Sequence, residues 1–168
     1  MAESRQGTKT RQGTKDGTKE SKREGNRSIL RDYGLRFSRP RELIFNFFRE
    51  KDSHVSAELL YLTLRDRGEN ISLSTVYLNL NVLKNAGLIR EFDGLNGEAV
   101  YDSNISPHYH LICKSCGNIL DVPVEAVHGL LPAPLLKKNA ENFSGWQIDE
   151  PKLDLQGYCP DCQREPQS

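Results

Sequence analysis

The chain's four cysteines form two Cys-x-x-Cys pairs, Cys113/Cys116 and Cys159/Cys162. A Cys-x-x-Cys turn directs two thiolates at one ion, and two such turns complete a tetrahedral sulfur shell. That is the chemistry of a structural Zn²⁺ site, whose filled shell leaves no position for a substrate. The 42 residues between the pairs make the site a tie from the end of the chain to its middle, so metal binding and folding should be coupled. The same spacing also allows two redox or disulfide pairs, and a reducing compartment favours the metal.

Ahead of the first pair stands His108-Tyr109-His110. On a strand, residues two apart point to one side, as two ligands of one ion must. Asp102 and Asp121 lie near them in sequence, and His54 lies well upstream. Imidazoles with carboxylates suit Mn²⁺, Fe²⁺ or Zn²⁺ better than Cu⁺. By spacing alone these histidines could equally be exposed or satisfied within the fold. His128 has no partner and reads as surface.

Positioning these groups requires ordered elements, and the periodicity supplies them. Residues 1–27 hold eight Lys/Arg against four acids, which puts +4 in this arm and −4 in the rest of a neutral chain. Arg-Gln-Gly-Thr-Lys occurs at 5–9 and 11–15, and Gly-Thr-Lys at 17–19. With no apolar residue between Ala2 and Ile29, the arm is expected to be disordered. It either adds attraction to phosphate or is simply solvated.

Helices are expected over about 28–33, 39–50, 57–67 and 73–86. Ser38, Ser56 and Ser72 serve as N-caps, and Gly34, Gly68 and Gly87 as stops. The expected inward rows are Leu43, Ile44, Phe47 and Phe48; Leu59, Leu60 and Leu64; and Leu73, Val76, Leu80 and Leu83. Strands at 88–92 and 98–102, joined through Asp93-Gly94 and Asn96-Gly97, make a hairpin. Helices followed by a hairpin are the order of a winged helix. The outer face of the last helix, with Thr75, Tyr77, Asn79, Asn81 and Lys84, would face a major groove, and Arg36 and Arg39 would meet phosphates.

After about residue 107, strands at 108–113 and 118–124, a helix from about 124 interrupted by Pro132 and Pro134, and a strand at 146–156 make a small α/β domain. The fold class is therefore α+β. The expected units are a basic tail (1–27), a winged-helix DNA-binding domain (28–103), a metal-binding dimerisation domain (104–163) and a tail (164–168). No apolar run is long enough to span a bilayer and no secretory signal opens the chain, so the expected compartment is the cytoplasm.

Residues 29–162 resemble the ferric uptake regulator family of dimeric bacterial metalloregulators. The resemblance is carried by Gly34-Leu-Arg-Phe-Ser-Arg-Pro-Arg41, Ser74-Thr-Val-Tyr-Leu-Asn-Leu80, His108-Tyr-His-Leu-Ile-Cys-Lys-Ser-Cys-Gly117 and Tyr158-Cys-Pro-Asp-Cys162. It implies a homodimeric repressor of palindromic double-stranded DNA operators, not an enzyme, with a regulatory Fe²⁺ or Mn²⁺ held by His54, Asp102, His108, His110 and Asp121. Aspartate at both carboxylate positions resembles the peroxide-sensing branch, in which oxidation of a ligand histidine, His54 or His108 by match, releases DNA. A manganese- or iron-uptake regulator on the same scaffold is the alternative. Leu78 departs from the family's usual Arg or Asn there, which weakens any transfer of operator sequence. From other classes, a metallohydrolase lacks a spare general base, and a zinc-stabilised interaction module would show no salt-dependent DNA affinity.

Overall fold

The computed structural model describes residues 16–50, 53–127 and 154–164, with side chains described from residue 24 and not for Val127. Six helices and six strands lie among them, in the order α1 (Asp16–Asp32), α2 (Arg39–Glu50), β1 (His54–Ser56), α3 (Ala57–Asp66), α4 (Leu73–Asn85), β2 (Arg90–Asp93), β3 (Ala99–Asp102), β4 (His108–Cys113), β5 (Ile119–Pro123), α5 (Val124–Val127), β6 (Asp154–Gly157) and α6 (Pro160–Arg164).

The first helix begins at Asp16, so residues 16–27 are helical where a disordered arm was expected. The segment lacks apolar residues and holds Gly17 and Gly25, but half of it is Lys, Arg and Glu, which are good helix formers. Tertiary contacts fix its second half. Arg27 meets both carboxylate oxygens of the buried Glu42 at 2.5 and 3.1 Å, and Asn26 donates to Asn46 at 2.7 Å. Leu30 then enters the core. Residues 1–15, with most of the repeats, lie outside the described residues.

Helices α2, α3 and α4 form as their caps dictate. The Ser38, Ser56 and Ser72 hydroxyls accept from the N–H groups of Arg41, Leu59 and Thr75. At the far ends of α3 and α4, Gly68 and Gly87 take φ of 81° and 71°, so Glu69 and Leu88 can donate back to Leu64 and Leu83. Ile44, Phe45, Phe47 and Phe48 of α2, Leu60 and Leu64 of α3, and Val76, Leu80 and Leu83 of α4 share one core. Leu43 and Leu73 pack at its margin. Leu59 does not pack inward: it is 54% exposed, because Ala57, Leu60 and Leu64 already fill the inner face of α3.

The β2–β3 hairpin gains a third strand that was not expected. β1 is only three residues long and pairs antiparallel with β3, in the order β1-β3-β2. With the helices this completes the winged-helix arrangement. Ser103–Pro107 connect it to a second sheet ordered β5-β4-β6, with β5 antiparallel and β6 parallel to β4. The described part of the expected 146–156 strand is β6. Pro132, Pro134, the helix expected between them and Asn142, and His128 lie outside the described residues. Phe92, Val100 and Ile112 form a smaller core between the two sheets.

Candidate metal centres

Among the described residues two clusters of potential ligands emerge, each with its donor atoms within 4.8 Å of one another. The first is Cys113, Cys116, Cys159 and Cys162. Cys113 ends β4, and Gly117 closes the turn after Cys116 by donating to the Cys113 carbonyl at 2.9 Å. The second pair arrives with β6, whose parallel register sets Gly157 beside Cys113. Cys116 Sγ and Cys159 Sγ are 3.8 Å apart. Ligands at the usual Zn–S distance, about 2.3 Å from a tetrahedral centre, stand about 3.8 Å apart along an edge. No disulfide links the four, and the Cys159 N–H donates to Cys113 Sγ at 3.3 Å. Backbone N–H groups of Cys116 and Cys159 draw the Cys113 thiol down to about 6, while the neighbouring sulfurs push Cys116 and Cys162 up, so the four sulfurs crowd one another where no cation offsets their charge.

The second cluster is His54, Asp102, His108, His110 and Asp121. Strand pairing builds it. In the first sheet His54 lies opposite Asp102, and in the second His110 lies opposite Asp121. His108 and His110 point to the same side of β4, with Nε2 atoms 2.9 Å apart. His108 Nε2 is 3.0 Å from Asp102 Oδ2, and His54 Nε2 is 2.7 Å from Asp121 Oδ1. Both sheets therefore contribute: His54 and Asp102 from one, His108, His110 and Asp121 from the other.

This geometry fits a cation. His108 Nδ1 lies 2.7 Å from the Ser106 carbonyl, and His110 Nδ1 lies 3.3 Å from Asp154 Oδ1. Both partners only accept, so each Nδ1 carries a proton, and in the neutral ring each Nε2 presents a lone pair. Two ring nitrogens at 2.9 Å need a positive centre between them, which a divalent ion supplies to both at once. Asp102 is fully buried, and its Oδ2, together with Asp121 Oδ1 and His54 Nε2, has no hydrogen-bond partner. The 2.7 Å approach of His54 to Asp121 lacks hydrogen-bond geometry, so proximity there is convergence of ligand atoms. A buried carboxylate oxygen without a partner is costly, and a divalent ion removes the cost. Three nitrogens and two oxygens suit a first-row divalent ion and leave an octahedron one position short.

Around these five stands a layer that the sequence did not reveal. Asn104 donates its N–H to Asp102 Oδ1 and its side-chain amide to Asp121 Oδ2, both at 2.8 Å. Asp154 orients His110, and Phe92 stacks on its ring at 3.7 Å. Such outer partners set ligand orientation and basicity. Asp154 reaches His110 only because β6 runs beside β4, a pairing with no local signal in the sequence.

The expected DNA-facing residues separate into two groups. Tyr77 and Asn81 lie exposed on α4, with Leu78 between them at 64% exposure, and Arg36 is exposed before α2. Thr75 is half-buried beside the Ser72 cap. Lys84 pairs with Glu91 at 2.9 Å and Arg39 with Glu69 at 3.1 Å. Asn79 is a correction: it is 2% exposed and its amide donates to the Thr75 carbonyl one turn earlier, so it faces the protein and not solvent.

A helical domain with a short sheet, a second sheet closed by a thiolate cluster, and a mixed His/Asp cluster between them define a metal-responsive transcriptional regulator. Residues 32–144 match the ferric uptake regulator family, and the chain belongs to it. Among curated relatives, the peroxide-responsive repressor PerR of Staphylococcus aureus strain Mu50 is 28% identical over 134 residues, covering 80% of this chain and 86% of that protein. Among solved structures, the ferric uptake regulator of Vibrio cholerae superposes with a TM-score of 0.66 at 32% identity, covering 80% of this chain and 99% of that one. The iron-containing ferric uptake regulator of Francisella tularensis gives 0.65 at 27% identity, covering 77% and 96%.

Proposed function

We propose that this protein is a cytoplasmic, homodimeric repressor that binds palindromic operator DNA under the control of Fe²⁺ or Mn²⁺ at the His/Asp centre, and that it senses peroxide there. In this reading Cys113, Cys116, Cys159 and Cys162 hold a structural Zn²⁺. His54, Asp102, His108, His110 and Asp121 hold the regulatory ion. Tyr77, Asn81, Thr75, Lys84, Arg36 and Arg39 supply the DNA contacts.

The observation that carries the regulatory part is the ownership of the five donors. Two belong to the sheet of the DNA-binding domain and three to the second sheet, with only Ser103–Pro107 between them. Drawing the five together fixes the angle between domains, and a ligand that favours one arrangement shifts the population toward it. In a dimer that angle sets the spacing of two α4 helices. Bound Fe²⁺ supplies a one-electron reductant for hydrogen peroxide, and Mn²⁺ a far weaker one. His54 and His108 are the rings whose oxidation would remove a donor from each side of the domain boundary. Aspartates at both carboxylate positions and the resemblance to PerR support this reading.

Simple metal co-repression, as in an iron- or manganese-uptake regulator, is the second reading, favoured by the 32% identity to the Vibrio cholerae protein. Operator release after hydrogen peroxide separates them, measured with Fe²⁺-loaded and Mn²⁺-loaded protein and followed by peptide mass spectrometry. Peroxide sensing gives release with Fe²⁺ only, with one added oxygen on the peptide holding His54 or His108. Intact histidines and equal DNA binding with both metals would leave the uptake regulator.

A further inference from the structure

We infer that Glu58 is a positioning residue for DNA recognition: its carboxylate, at the start of α3, holds the Tyr77 phenol on the exposed face of α4 and ties that face to the strand carrying His54. This rests on the reading of α4 as the DNA-facing helix.

The Tyr77 hydroxyl donates to Glu58 Oε1. Tyr77 is 42% exposed, and an exposed aromatic side chain otherwise samples several staggered wells. A charged acceptor at the ring's far end selects one of them, and charge-assisted hydrogen bonds are about twice as strong as neutral ones. Glu58 is exposed, and its place on the helix favours its charge. It lies in the first turn of α3, where the helix dipole favours a carboxylate. The shared hydrogen bond is the main reason that Glu58 titrates below its ordinary range and Tyr77 above its own.

The link to the metal centre is covalent and short. β1 ends at Ser56 and α3 begins at Ala57, with no loop between them to absorb movement. Val55 and Ala57 are buried, which anchors the junction in the core. His54 opposite Asp102 thus lies four residues before Glu58. An ion that fixes His54 fixes the start of α3, and with it the acceptor that aims Tyr77.

The sign of the effect makes the inference testable. A carboxylate beside DNA repels phosphate, so removing Glu58 should strengthen binding if charge is all that matters. If Glu58 positions Tyr77, its removal weakens discrimination instead. The full-length, Mn²⁺-loaded protein would first select a duplex from a random pool. Discrimination between that duplex and a scrambled one is then measured by fluorescence anisotropy for Glu58→Ala, Glu58→Gln, Tyr77→Phe, Tyr77→Ala and the Glu58→Ala/Tyr77→Phe double variant. Circular dichroism and metal content serve as controls.

The expected result is about a fivefold loss of discrimination in Glu58→Ala and in Tyr77→Phe, the scale of one hydrogen bond. The double variant should lose no more than either single one, since both remove the same contact. Glu58→Gln, which still accepts, should recover most of the loss. Tighter binding to both duplexes with an unchanged ratio in Glu58→Ala would overturn the inference, as would additive losses in the double variant. A loss in Tyr77→Ala with none in Glu58→Ala would overturn it alone. Undiminished discrimination in Tyr77→Ala would overturn the DNA-facing reading of α4, and this inference with it.

Discussion

The two metal centres lie at opposite ends of β4 and are built for opposite purposes. At Cys113 the strand ends in a cage of four thiolates from two tight turns, all within the second domain. At His108 and His110 the same strand begins in a cluster drawn from four strands and both sheets. The thiolate cage closes a loop within one folding unit, so its loss should be felt as lost structure. The His/Asp centre joins two sheets that share only the small core of Phe92, Val100 and Ile112, so its loss should be felt as lost coupling. In the proposed reading one strand carries a permanent fastening and a reversible one, and ligand chemistry supports it: thiolates hold zinc tightly, whereas imidazoles and carboxylates exchange divalent ions.

The largest test of this contrast is Cys113→Ser. It should release zinc and melt the second domain, since metal binding there is folding free energy. Zinc content and circular dichroism read the outcome; a folded, zinc-free variant that still binds the second ion would erase the distinction. Next comes His110→Ala. Far-UV dichroism and zinc should survive, while metal-dependent DNA affinity falls about a hundredfold, on the scale of a coupling free energy of up to about 3 kcal/mol. Unfolding of this variant would mean that the His/Asp centre is structural as well.

Asp154→Asn sharpens the contrast further. Asp154 touches His110 and belongs to β6, the strand that leads to Cys159. Loss of its charge should weaken Mn²⁺ binding by about ten- to a hundredfold, the usual weight of an outer-layer partner, and leave zinc in place. Isothermal titration with Mn²⁺ and zinc content measure the two separately. If both fall together, the centres are coupled through β6. The smallest effect on the metals should come from Tyr77→Ala. Both ions should bind as in the parent protein while operator affinity drops by about 1–3 kcal/mol, the value of one base contact. Anisotropy titrations at fixed Mn²⁺ would show it.

Local features of the chain are legible wherever a residue acts on its near neighbours. Ser38, Ser56 and Ser72 cap their helices, and Gly68 and Gly87 end two of them, because caps and stops are set within one turn of backbone. The thiolate cage is legible for the same reason, since each Cys-x-x-Cys turn makes half of it. Errors arose where distant contacts outweigh local pattern. The charged segment before Ser28 is held as a helix by Glu42 and Asn46 of α2. Asn79 is a different, local case: it is buried in α4 and its amide donates to the Thr75 carbonyl one turn earlier.

What the sequence determined alone was therefore most of the described elements, most of the core and the identity of the candidate ligands. Family resemblance assembled five of those ligands into a set, which periodicity could not do. Tertiary structure decided how they meet. The three-residue β1 is too short to declare itself, yet its register with β3 sets His54 against Asp102. The parallel pairing of β6 with β4 brings Asp154 to His110 and the second cysteine pair to the first. The orientation of α3 against α4 gives Tyr77 its acceptor. Strand register and helix docking depend on burying surfaces far apart in the chain, and no window of sequence contains both sides of such a contact.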